Sequence, residues 1–350
     1  MNIATPLRTF AEPASPSCPL VITGAPVDRA DEAGAYGGLP ARPAIHVPHG
    51  PRWLRVGSMR ISYVDVGDGP VVLLIHGLGH STHGWRKNFA PLAADGYRVM
   101  AVDLPGFGYS DNPGDLTLEQ YTDFIRDWLD LHCVEWAAVV GNSLGGLIAA
   151  SFAARHPERL RALVLADAAG FGSRLSWPLR LATLAPSALV TRRTGPSARQ
   201  VRRALKLVYH DAVRIEDEEV ERIREQAVLP GNRDTFVRIG RGGAGLFKGM
   251  RPALGLGDLP VEITVPTLVL WGRNDRVVPV SHAQKVIAAC RDAELTIFEN
   301  CGHCPMMEVP DQFNERVSRF LNERLATKSE KPGGSVVTAA ETHAASPDSG

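Results

Sequence analysis

Ala137-Ala138-Val139-Val140-Gly141-Asn142-Ser143-Leu144-Gly145-Gly146 is the most informative stretch of the chain. An apolar, partly β-branched run enters it. A small-residue helical pattern through Leu147, Ala149, Ala150, Phe152 and Ala153 leaves it. A serine set between glycines 141 and 145 at such a strand-to-helix junction has the pattern of a nucleophile elbow. The turn is so tight that residues two positions either side of the serine must lack bulk. The helix that follows aims its first backbone N–H groups at any negative charge developing near the hydroxyl.

A serine hydroxyl is a weak nucleophile and needs a base, and the base needs an orienting carboxylate. Thr267-Leu268-Val269-Leu270-Trp271 reads as a buried strand ending at Gly272-Arg273-Asn274-Asp275. The next strand candidate, Leu295-Thr296-Ile297-Phe298, runs into Gly302-His303-Cys304-Pro305. Ser143, Asp275 and His303 therefore each follow a predicted parallel strand, in the order serine, acid, base. Asp167, after Ala162-Leu163-Val164-Leu165, competes with Asp275 for the acid's place.

With these motifs in hand, residues 52–326 resemble the α/β-hydrolase superfamily, in its serine-nucleophile branch. The resemblance implies a mostly parallel central sheet covered by helices on both faces, with an inserted helical cap. His76-Gly77-Leu78-Gly79, after the strand Val71–Ile75, resembles the family's oxyanion loop. The hole it implies uses the backbone N–H groups of Leu78 and Leu144. Gly77, Phe107 and Met306 are the substrate-pocket candidates, and His76 braces the loop. Asp103-Leu104-Pro105-Gly106-Phe107-Gly108-Tyr109-Ser110, after Arg98–Val102, is similar to the superfamily's second signature loop, in which Pro and Gly set the turns.

Residues 141–146 and Trp-Gly-Arg-Asn-Asp-Arg-Val-Val-Pro at 271–279 are similar to the carbon–carbon hydrolases that cleave ring-fission products of aromatic degradation. Cys304 departs from that group, which carries a tryptophan directly after the histidine. The expected activity is two-step acyl transfer on a small, largely apolar ester or lactone. Two alternatives are hydrolysis of a carbon–carbon bond in a vinylogous diketone acid, and a slow ligand-binding receptor of the same fold. Haloalkane dehalogenases and epoxide hydrolases of this superfamily place a carboxylate where Ser143 stands, so their chemistry is not expected.

The remaining sequence bounds this reading. With 38 basic and 38 acidic residues the formal net charge is zero, which gives no electrostatic reason to expect nucleic acid as a partner. No apolar run reaches the ~20 residues of a membrane span, and no secretory leader is recognisable at the N-terminus, so a cytoplasmic location is expected. No cofactor and no metal is expected. The partner is a small-molecule substrate, and a homo-oligomer is left open. Five cysteines do not suggest a disulfide framework. Cys301-Gly302-His303-Cys304 spells a Cys-x-x-Cys, but its histidine is already taken by the triad.

Residues 1–50, rich in Pro, Ala and Gly, read as a flexible extension, and 328–350 as a disordered tail. Residues 51–170 and 253–327 form the expected core. Between them, 171–252 carries helical stripes such as Val201, Ala204, Leu205 and Val208, and is the expected cap. Its basic cluster (Arg192, Arg193, Arg199, Arg202, Arg203, Lys206) reads as a solvated face. Thr117-x-x-Gln120 predicts a capping box before a helix that buries Tyr121, Phe124, Ile125, Trp128 and Leu129.

Overall fold

The computed structural model describes residues 51–114, 116–172, 195–229, 231–232, 234–236 and 262–326. The expected extension, the tail and parts of the cap region lie outside the described residues. Eight strands form one sheet: β1 (Arg52–Val56), β2 (Met59–Val66), β3 (Val71–Ile75), β4 (Arg98–Val102), β5 (Ala137–Asn142), β6 (Leu160–Ala166), β7 (Thr267–Gly272) and β8 (Ala293–Phe298). Their order is β1-β2-β4-β3-β5-β6-β7-β8. β2 runs antiparallel to both β1 and β4, and from β4 to β8 every pairing is parallel.

The helices are α1 (Phe89–Ala94), α2 (Leu118–Leu131), α3 (Leu144–Arg155), α4 (Ala198–Val208), α5 (Asp217–Ala227), α6 (Ala283–Ala289), α7 (Pro305–Glu308) and α8 (Pro310–Ala326). Alternation along the strands explains why both faces are covered. Leu73, Ile75, Met100, Val102 and Val139 point to one side, where α2 and α3 supply Phe124, Ile125, Trp128, Leu147, Ile148 and Phe152. Val72, Leu74, Val99, Ala101 and Val140 point to the other, against Phe89 of α1 and Phe313, Val317, Phe320 and Leu321 of α8. Strands buried on both faces need continuous apolar runs, and β3 (VVLLI) is buried throughout. Each such side chain contributes ~1.5–3 kcal/mol relative to exposure.

The predicted capping box is present, with Thr117 accepting from Gln120 N–H and the Gln120 side chain accepting from Thr117 N–H. α4 and α5 lie in the chain between β6 and β7, where the helical insertion is expected. In α4, Val201 and Leu205 are buried as the stripe requires, whereas Ala204 is exposed.

Register does the positioning. Ile75 pairs with Gly141, Asn142 with Ala166, Ala166 with Leu270, and Gly272 with Phe298. The C-terminal ends of β3, β5, β6, β7 and β8 thus finish level at one rim. The loops bearing Gly77, Ser143, Asp167, Asp275 and His303 all leave from it.

Candidate active site

Ser143 holds φ +54° and ψ −115°, a backbone conformation that L residues rarely adopt. The flanking glycines are sterically required. A Cβ on Gly141 would stand 2.3 Å from the Gly145 carbonyl oxygen, and one on Gly145 would stand 2.1 Å from that of Ile75. The strained turn is held from below, because Ser143 N–H donates to Ala166 O (3.0 Å) and Ser143 O accepts from Ala169 N–H (3.0 Å). Leu144 opens α3, so its N–H belongs to the first turn, which has no intrahelical acceptor. Gly77 packs directly on the elbow. A Cβ there would lie 3.1 Å from Ser143 Cβ and 3.0 Å from Asn142 Oδ1.

Asp275 and His303 meet directly. His303 Nδ1 lies 2.7 Å from Asp275 Oδ2, and Asp275 Oδ1 accepts N–H bonds from Val277 (2.7 Å) and Val278 (3.0 Å). These donors leave the other Asp275 oxygen to the ring, an arrangement that favours a proton on Nδ1 and leaves Nε2 as the acceptor. Asn142 links this pair to the elbow by donating Nδ2–H bonds to His303 O (3.1 Å) and Ala166 O (3.2 Å). Sequence alone gives Asn142 no role; its place immediately before the elbow serine is the one signal it offers. The Ser143 hydroxyl makes no hydrogen bond among the described residues.

The competing acid, Asp167, does not take the imidazole. Its Oδ1 accepts Gly272 N–H (2.9 Å). One oxygen of Asp167, one of Asp275 and one ring nitrogen of His303 lie within 4.8 Å of one another, a spacing a cation would also accept. His303 Nδ1 and Asp275 Oδ2 are already in direct contact with each other. Burial, reinforced by the Asp275 carboxylate, holds the Asp167 carboxyl well above the usual range.

The neighbouring loops carry structural polar groups. His76 accepts Leu104 N–H at Nε2 (3.0 Å) and donates from Nδ1 to Gly77 O (2.8 Å), and burial lowers its pKa to about 3. With both nitrogens engaged and the ring neutral, His76 braces the loop. Asp103 accepts the N–H groups of Thr82 (2.7 Å) and Tyr109 (2.9 Å), tying two loops together. Phe107 packs edge-on to His76, and Met306 is buried in α7 directly after the histidine loop. Cys301 and Cys304 are free and buried, and burial pushes both thiols far up. Thiols so buried are poor thiolates, which disfavours redox catalysis by this pair.

α5 docks on this region through buried polar groups that its sequence does not announce. Glu219 Oε2 accepts from Tyr209 OH (2.6 Å), its Oε1 faces His80 Nε2 (3.4 Å), and Arg86 Nη2 lies 3.7 Å away. Burial alone would raise the Glu219 carboxyl, but His80, Tyr209 and Arg86 hold it below the usual range. Gln226 donates to Ser81 Oγ (3.0 Å), and Arg222 to Tyr109 OH (2.9 Å). Of the basic cluster, Arg192 and Arg193 lie outside the described residues. Arg202 pairs with Asp217, and Arg199, Arg203 and Lys206 are exposed as on a solvated face.

Residues 70–310 match the family model described as "alpha/beta hydrolase fold". The chain belongs to the α/β-hydrolase fold family. A 2-hydroxy-6-oxononadienedioate/2-hydroxy-6-oxononatrienedioate hydrolase of Cupriavidus pinatubonensis is 33% identical over 276 residues, covering 75% of this chain and 91% of that protein. A meta-cleavage product hydrolase of Pseudomonas fluorescens is 30% identical with TM-score 0.65, covering 76% of this chain and 95% of the other. A membrane phospholipase A described as a bacterial virulence factor is likewise 30% identical with TM-score 0.65, covering 79% and 86%. No helix among the described residues is long and apolar enough to cross a membrane.

Proposed function

We propose that this α/β hydrolase works through Ser143 as nucleophile, His303 as base and Asp275 as the orienting acid. The observation that carries the reading is the 2.7 Å contact between Asp275 and His303, at the same sheet rim as a serine held at φ +54°. His303 Nε2 takes the hydroxyl proton as Ser143 attacks a carbonyl carbon. Leu78 and Leu144 N–H groups receive the oxyanion, and losing one such donor costs ~100- to 1,000-fold in turnover. His303 then returns the proton to the leaving group and afterwards activates water, releasing the acid and free Ser143. Gly77, Phe107 and Met306 contribute pocket wall, and the helical insertion that includes α4 and α5 covers the site as a cap.

The motifs alone place an ester or lactone first. The names of the relatives favour the alternative, hydrolysis of a carbon–carbon bond in a vinylogous diketone acid. There the leaving group is a carbon atom. Its electron pair must be delocalised into the adjoining unsaturated system before it takes the proton. Ester hydrolysis stays as the second reading, favoured by Cys304 in place of tryptophan and by the likeness to a phospholipase A. The discriminating experiment assays ring-fission diketone acids, p-nitrophenyl esters and lactones side by side on wild type and Ser143→Ala. The expected result is highest kcat/KM on the diketone acids, lost in the variant. Turnover of every class unaffected by Ser143→Ala would remove the reading.

A further inference from the structure

Asp167 is a buried carboxylic acid whose role the triad leaves unexplained. It follows β6 at φ +47°, left-handed backbone that residues other than glycine hold only at a cost. Its Oδ1 is used by Gly272 N–H, while its Oδ2 is buried without a hydrogen-bond partner among the described residues. One carboxyl oxygen of Asp275 lies within 4.8 Å of one of Asp167. Two carboxylates this close, away from water, cannot both ionise. Asp275 faces the N–H groups of Val277 and Val278 and the His303 ring, whereas Asp167 has only Gly272 N–H. Three donors stabilise the anion on Asp275, so the proton resides on Asp167.

We propose that Asp167 is a positioning residue of the triad: it stays neutral, donates its O–H to the Asp275 carboxylate, and thereby tempers the charge that Asp275 presents to His303. This rests on the reading of His303 as base and extends it. A carboxylate that shares its electron density with a second donor stabilises an imidazolium less. The consequence is a base that remains unprotonated, and an enzyme that remains active, at lower pH than Asp275 alone would allow.

The groups facing this pair are few. Glu308 from α7 and Cys301, Cys304 and His303 from the loop after β8 interact with it, and Arg214 stands 3.9 Å from Glu308. His282 also feels the Asp275 charge. Burial favours the neutral form of Glu308 and of both thiols. Among the described residues, Asp275 is then the anion expected to sense the proton on Asp167.

Asp167→Asn and Asp167→Ala test this. Asparagine tolerates left-handed backbone and keeps a neutral donor. Its kcat/KM–pH profile should overlay the wild-type acid limb. Alanine removes the donor, so its acid limb should move to higher pH, with kcat/KM on that limb down by on the order of 3- to 10-fold and converging on wild type at alkaline pH. The same two variants are read without substrate by NMR titration of the His303 ring, assigned with His303→Ala. That arm follows the proton on His303 directly, whether or not the proposed activity is found. A shift of the asparagine titration to lower pH would mean that Asp167 is an anion in wild type and would overturn the proposal. An unshifted alanine titration, with only the melting temperature reduced, would make the residue merely structural and overturn it equally. Should the alanine variant not fold, the asparagine variant still separates neutral from anionic.

Discussion

At position 143 a side chain is held where glycine would be more comfortable. Its φ of +54° is paired with ψ −115°, and strain of this kind costs ~1–3 kcal/mol, here offset by the bonds to Ala166 and Ala169. Ser143→Gly should therefore raise stability, by roughly 1 kcal/mol in urea unfolding, while hydrolysis falls to background. Equal or lower stability would mean that the elbow is relaxed with serine in it. The glycines around it are legible from sequence because their requirement is local: residues two places either side of the serine meet backbone. Asn142 and Asp167 are not legible, because what they meet (His303 O for one, Gly272 N–H for the other) comes from other strand ends that only the assembled sheet brings near.

Strands whose burial demands continuous apolar runs can be read almost residue for residue, β3 and β4 among them. β1 and β2 are harder to see. Arg52–Val56 and Met59–Val66 mix charged and apolar residues, since β1 is an edge strand of half-exposed residues. Their two-residue connection, with Gly57 at φ +60°, is the hairpin signal that the sequence does carry. Helix α5 shows the opposite problem. A charged sequence, Asp-Glu-Glu-Val-Glu-Arg, reads as solvated, yet Glu219 and Arg222 are buried because the docking surface is itself polar. Glu219→Ala would strand Tyr209 OH, while Arg86 keeps its closer pair with Glu216 (2.5 Å), so the expected loss is about 1–3 kcal/mol for one unsatisfied buried group. Hydrogen exchange should then show faster exchange of 217–227 with protection of the sheet retained. Uniform loss of protection would mean that α5 and the sheet unfold as one unit.

Across the whole molecule, burial drives acids and imidazoles in opposite directions. Asp103, Asp167 and Glu308 are held toward their neutral acid forms, and His76 and His83 toward neutral imidazole, with pKa values of about 3. For His83 the native state binds fewer protons than the unfolded chain between about pH 6.5 and about pH 3. The stability it contributes is complete above the unfolded value and lost as pH falls through that window. His83→Gln, which cannot take up this proton, should gain on wild type by up to ~1.4 kcal/mol per pH unit within it. A stability difference that does not change with pH would show that His83 is charged in the native state.

The central claim, that Ser143 carries the acyl group between two half-reactions, is tested most directly by acid-quenching wild-type enzyme in the first turnovers and weighing the intact chain. The expected result is a mass increase equal to the acyl moiety, mapped to the peptide containing Ser143 and missing in Ser143→Ala. Undiminished hydrolysis by Ser143→Ala, with no adduct in either protein, would contradict it.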